Sequence, residues 1–348
     1  MKRILRLVAD VRAEYASDPR TTVFDARVGW RGDRLVLTGE TTEPDAVDEL
    51  ITRVAAEADD HEVDDEIVRL PDPALGSSRW ALVRAAVAPV HAAPEIASTQ
   101  LSQFVLGHRL ELLSKRDGWY RVRGEDGYIG WVHHGFVETG EMEWARAWEL
   151  GDGSEPVVSL GAELVDEADR TFARLPWGAR LFRDTPNRLR LPDGRRGALG
   201  DGEVIAVDRM PDRFPPSGES VARTARRWVG TPYLWGGVTR AGADCSGFVQ
   251  AVFWMHGVAL PRDSDLQTTV GEAVEPGESF EALHAGDLLF FTEREDRVTH
   301  VAISLGGPHI IHCSLANGGV EVNDLAGDLE LEAELAGIFL EARRVLPD

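Results

Sequence analysis

The chain has 348 residues, 43% of them apolar, and carries 37 Lys and Arg against 59 Asp and Glu, a formal net charge of −22. That length holds several domains, and the apolar share is ordinary for a globular protein. So acidic a balance argues against nucleic acid or an anionic membrane surface as main partner, because both demand a basic face.

The opening MKRILRLVADVRAEYA is basic at its start, but Arg6, Asp10 and Arg12 interrupt its apolar run, and no signal-peptide core forms. No segment approaches the roughly 18 apolar residues of a membrane span. The expectation is a soluble, cytoplasmic protein with no membrane partner. Residues 1–75 read as a small α/β unit. RTTVFDARVGWRGDRLVLTGE alternates around a Gly-Asp turn and predicts a hairpin. DAVDELITRVAAEA has helical spacing, with Val47, Leu50, Ile51, Val54 and Ala55 on one face. The acidic EADDHEVDDE that follows reads as a solvated connector, and LPDPALGSS as a linker.

Residues 80–141 form a series of short β runs broken by Gly and Asp turns. Residues 142–212 repeat the theme more weakly, with LPDGRRGAL in the place that EDGYIGWV held before. The Pro-rich PDRFPPSGES marks the boundary of a last domain over 217–348.

That last domain carries the chemistry. In GADCSGFVQAVFWMHG, Phe248, Val249, Val252 and Phe253 recur at helical spacing, and Gly257 sits where a C-terminal cap belongs. Cys245 therefore falls at a helix start, where free N–H groups and the positive helix end stabilise a thiolate or an oxyanion. Asp244 is placed to cap that helix. A thiolate nucleophile needs a base, and the base needs an orienter. DRVTHVAISLGG and HIIHCS read as two strands joined by a Gly-Gly-Pro turn, a hairpin that brings His300 and His312 close together. Two His and one Cys can also ligate zinc, although no C-x-x-C or H-E-x-x-H pattern is present. Cys313 alternates to the face opposite His312 and reads as a core thiol. Only two cysteines are present, so a disulfide framework is excluded and a single bridge is the most that could form.

TPYLWGGVTRAGADCSGFVQAVFWMHGVALPRDSDLQ, LHAGDLLFF, VTHVAISLGG and HIIHCS, in that order, resemble the NlpC family of bacterial cell-wall cysteine peptidases. The preceding GWYRV and DGYIGWV resemble the bacterial SH3-like barrels that accompany such enzymes, and the first 75 residues resemble small BON-like modules. The resemblance implies an α+β chain: a papain-like peptidase domain behind two SH3-like barrels and a BON-like domain. It implies hydrolysis of the γ-D-Glu–diamino acid bond of peptidoglycan stem peptides, without a cofactor. Fragments with a free N-terminal L-Ala, met in murein recycling, are the expected substrate. An idle wall-peptide binding module, or an amidase or acyltransferase on another acyl substrate, is the alternative. By the same resemblance Cys245 is the nucleophile that His300 keeps as thiolate, and His312 is the orienter. Tyr233, Asp244 and Ser246 contact substrate, and Ser264 holds the D-Glu end with Arg262 and Asp263 behind it. Tyr128 of the first barrel grips the L-Ala amine, and Glu95 is the candidate for an accompanying carboxylate. Asp244 and that carboxylate are expected to form a negative wall for the ammonium.

Overall fold

A computed structural model describes residues 2–58, 61–151, 153–292 and 297–346. Four units follow one another. The first consists of α1 (Lys2–Tyr15), β1 (Arg27–Arg31), β2 (Arg34–Thr41), α2 (Pro44–Glu57) and β3 (Val63–Arg69). The expected hairpin is β1–β2, and α2 buries Ala46, Val47, Leu50 and Val54 against Ile4, Val8 and Val11 of α1. Ala55 faces solvent instead of the core. The acidic connector is a correction: its second half is β3, paired parallel to β2. Arginines make that acidic strand tenable, since Arg34 pairs with Asp64 and Glu62, and Arg31 with Glu66 at 2.6 Å.

The second unit is a seven-stranded sheet of β4 (Trp80–Val83), β5 (Val87–His91), β6 (Gln100–Val105), β7 (Arg109–Arg116), β8 (Trp119–Arg123), β9 (Ile129–His133) and β10 (Val137–Gly140). Val83, Val90, Leu110, Leu112, Val122 and Val132 fill it. A helix, α3 (Met142–Leu150), follows where only strands were expected. It joins two units, because the Trp148 indole donates to the Gly107 carbonyl at 3.2 Å and stacks edge-on against Phe182. The third unit is a closed barrel of β11 (Glu155–Val165), β12 (Thr171–Thr185), β13 (Arg188–Arg190) and β14 (Arg196–Ala206).

The fourth unit begins with α4 (Met210–Arg213), α5 (Gly218–Arg226) and the two-residue strands β15 (Val238–Thr239) and β16 (Gly242–Ala243). The helices α6 (Cys245–Met255) and α7 (Ser264–Gln267) follow. An antiparallel sheet comes next, built from β17 (Glu272–Val274), β18 (Leu288–Phe291), β19 (His300–Gly306), β20 (His309–Ser314), β21 (Gly319–Asp324) and β22 (Phe339–Arg344). Its order is β17-β22-β18-β19-β20-β21, and α8 (Glu330–Gly337) precedes the last strand. The apolar stripe of α6 packs on Val301, Ile303, Ile311 and Cys313. Leu289, Phe291, Ala302 and Ile310 fill the other face beneath α8. Cys313 is fully buried on the helix side, as its alternation requires, and both cysteines are free. Trp177 of the closed barrel meets Trp228 edge-on, so that barrel shares the core of the fourth unit.

Candidate active site

The loop before α6 delivers Cys245 as the first helical residue. Asp244 caps the helix, its Oδ1 accepting the Gly247 N–H at 2.7 Å. Helix geometry leaves the first N–H groups without intrahelical partners, beside the positive end of the dipole. Only glycine fits at 247, because a Cβ would lie 2.2 Å from the Gly237 carbonyl oxygen. Gly257 ends the helix at φ 74°, the left-handed conformation of a C-terminal cap.

The β19–β20 hairpin puts His300 Nε2 2.6 Å from His312 Nδ1, with ring centroids 4.9 Å apart and edge to face. His312 is fully buried, and its Nε2 lies 2.9 Å from Asn323 Oδ1 on β21. The Cys245 side chain packs against the core that includes Val301, the residue after His300, so the thiol rests against the strand that carries the imidazole. Cys245, His300 and His312 all line one cleft of about 900 Å³.

Burial dominates the protonation of this group. It pushes the Cys245 thiol up to about 12, with the Asp244 carboxylate adding to the effect. It holds His300 well below the usual imidazole value, and His312 adds to that. Desolvation thus opposes the charged form of each group, while the helix end favours a thiolate.

Asp244 and Ser246 line the cleft, but their polar atoms are already engaged. The Arg262 side chain is almost wholly buried and grips Asp244 through two nitrogens, at 2.6 and 3.0 Å. It also bonds Ser246 Oγ at 2.9 Å and Ser102 Oγ of β6 at 2.8 Å. Gly236 N–H donates to the second Asp244 oxygen at 2.8 Å. With its charge matched and both oxygens bonded, Asp244 is a scaffold for the nucleophile loop and not a free negative wall.

Tyr233, Ser264 and Tyr128 line the same cleft, and the Tyr128 hydroxyl donates to Asp263 Oδ2 at 3.3 Å. Glu95 is a correction: it is exposed, in the turn between β5 and β6, and is not among the cleft residues. Asp263, which meets the Tyr128 hydroxyl, and Asp265 line the cleft together, and both come from the fourth unit. Both are bound by Arg20 of the first unit, at 3.0 and 2.7 Å. Pro19, Arg20, Phe24 and Asp25 make the first unit a wall of the cleft.

Residues 230–334 match the NlpC/P60 family, and residues 86–138 match the bacterial SH3 domain. The chain is 30% identical over 269 residues to a gamma-D-glutamyl-L-lysine dipeptidyl-peptidase of Bacillus cereus, covering 71% of this chain and 75% of that one. It is 36% identical over 267 residues to dipeptidyl-peptidase 6 of Lysinibacillus sphaericus, covering 70% of this chain and 91% of that one. The chain belongs to the NlpC/P60 family. The crystal structure of an NlpC/P60 family protein from Bacillus cereus superposes with a TM-score of 0.64 at 24% identity, over 77% of this chain and 100% of that one. An NlpC/P60 endopeptidase from Photobacterium damselae superposes with a TM-score of 0.59 at 15% identity, over 97% of this chain and 81% of that one. These two likenesses bear on the fold.

As an NlpC/P60 cysteine peptidase, the chain holds functional candidates that sequence reasoning missed. Asn323 has one available signal, an Asn inside an alternating strand, where that residue is depleted. Arg20 has none, because the cleft carboxylates it binds, Asp263 and Asp265, lie more than two hundred residues away in the chain. Among the described residues, no cluster of three or more His, Cys, Asp or Glu is arranged to hold a metal ion.

Proposed function

We propose that this peptidase hydrolyses the γ-D-Glu–diamino acid bond of peptidoglycan stem peptides, and that it acts on short fragments with a free N-terminal L-Ala. The observation that carries the reading is a cleft holding Cys245, His300 and His312 whose walls come from three units of the chain. The names of the relatives supply the γ-D-glutamyl bond. Tyr128 and the first unit flank the cleft beside Asp263 and Asp265, and walls at that end favour a small fragment over a glycan-linked peptide. Recycling of such fragments in the cytoplasm is the corresponding cellular role.

In this mechanism the Cys245 thiol proton passes to His300 Nδ1 as sulfur bonds to the γ-glutamyl carbonyl carbon. The oxyanion is held by the Cys245 backbone N–H and the Tyr233 hydroxyl. Collapse breaks the C–N bond, and His300 returns the proton to the leaving amine. Water then attacks the thioester, gives a proton to His300 and releases the acid. The proton returns to sulfur. His312 orients the base throughout.

The test is mass spectrometry of L-Ala-γ-D-Glu-diaminopimelate, of its lysine counterpart and of the N-acetylated peptide, with wild type and Cys245→Ala. Wild type alone should release L-Ala-D-Glu, and acetylation should slow it. Turnover by Cys245→Ala would overturn the nucleophile. Equal rates with and without the acetyl group would overturn the closed amino end.

A further inference from the structure

His312 Nε2 faces Asn323 Oδ1 at 2.9 Å, and the same oxygen accepts Asn317 Nδ2 at 2.9 Å. Asn323 is buried, and Asn317, half-buried in the turn between β20 and β21, has its Nδ2 3.1 Å from His312 Nε2. We propose that Asn323 is a positioning residue that sets the tautomer of both imidazoles, an inference that rests on His300 as the base.

The argument is a count of protons along one line. The Asn323 oxygen only accepts, and at 2.9 Å it lies nearer His312 Nε2 than the donor Asn317 Nδ2 does at 3.1 Å, so the closer contact assigns the hydrogen to His312 Nε2. A neutral imidazole holds one, which leaves His312 Nδ1 as an acceptor. The 2.6 Å contact to His300 Nε2 then needs its hydrogen from His300. That places the single hydrogen of His300 on Nε2 and its lone pair on Nδ1, free to take the thiol proton. With the Asn323 amide reversed, every hydrogen moves one place along, and His300 Nδ1 becomes a donor with nothing to offer the thiol. Asn317 opposes that reversal, since its NH2 group needs the Asn323 oxygen where it is. When the thiol proton arrives, His300 becomes imidazolium while its Nε2–H still donates to His312. The chain of acceptors stabilises that charge without any further proton leaving.

Two substitutions separate this role from simple packing. Asn323→Asp keeps an acceptor at the same point and adds a negative charge that favours the imidazolium. Asn323→Leu keeps the volume and removes the acceptor. The first readout is the rate of Cys245 alkylation by iodoacetamide at pH 7, which needs no peptide substrate. The Asp variant should match or exceed wild type, and the Leu variant should fall by about tenfold or more. The second readout is peptide turnover, where the Leu variant should lose kcat with KM within about threefold. Thermal unfolding of each variant identifies any that fails to fold. A Leu variant that alkylates within threefold of wild type would overturn the proposal. So would a folded Asp variant as slow as Leu, because that result means the amide presents its NH2 group. If wild type cleaves no γ-D-glutamyl peptide but the alkylation order holds, the substrate reading falls and this one stands.

Discussion

Asp244 shows how one side chain serves both fold and chemistry. It caps α6, fixes the Gly236 loop and neutralises Arg262, three tasks within 3 Å of its two oxygens. Asp244→Ala should therefore cost about 3–5 kcal/mol of stability, the range for leaving one member of a buried ion pair unmatched. Urea unfolding at pH 7 measures it, and a loss below about 1 kcal/mol would show that Arg262 finds water instead. Activity should fall with stability, since the loop that carries Cys245 loses its anchor. The cap was legible in the sequence, because Asp before an apolar helical run is a known start signal. The pairing with Arg262 was not, although only seventeen residues lie between the two, since nothing in the intervening loop states where a buried arginine points.

At the scale of elements, the segment between α1 and β1 joins three units. The Arg20 carbonyl accepts the Ile129 N–H of β9 at 2.7 Å, while its guanidinium spans Asp18, Asp263 and Asp265. Arg121 of β8 reaches back to Asp25 at 2.9 Å and to Glu40 at 2.5 Å. The Arg20 hydrogen bond holds Asp18 below the usual carboxylate range. A carboxylate with a lowered folded pKa stabilises above its unfolded pKa, and that contribution is lost as pH falls through the folded value. Arg20→Ala should lower the melting temperature at pH 7, and the gap from wild type should close as pH drops below about 4. A gap that is unchanged in acid would mean that Arg20 acts by packing alone. The hairpin β1–β2, helix α2, helix α6 and the histidine hairpin were all visible as periodicity and turn chemistry. Strand β3 was hidden by its charge, because its arginine partners sit on strands that join its sheet only in the fold.

For the whole molecule, four histidines are kept neutral by burial: His108, held down to about 3, together with His256, His300 and His312. Each takes a proton in the unfolded chain below about pH 6.5. The unfolded state then binds more protons, so stability falls as pH drops from 6.5 toward the folded values, by about 1.4 kcal/mol per pH unit for each proton. Melting temperatures should decline from pH 7.5 to 5, and a flat profile would show that these rings protonate in place. The sequence by itself determined the order of the units, the helix that starts at Cys245 and the closeness of His300 to His312. Those features rest on short-range periodicity, turn residues and a two-residue alternation that reads directly along the chain. Only the tertiary structure decided that Asp244 is spent on Arg262, that Glu95 stands away from the cleft, and that the first unit forms one of its walls. Each of these depends on which distant charges meet, and burial sets that meeting by desolvating a group until it finds a partner.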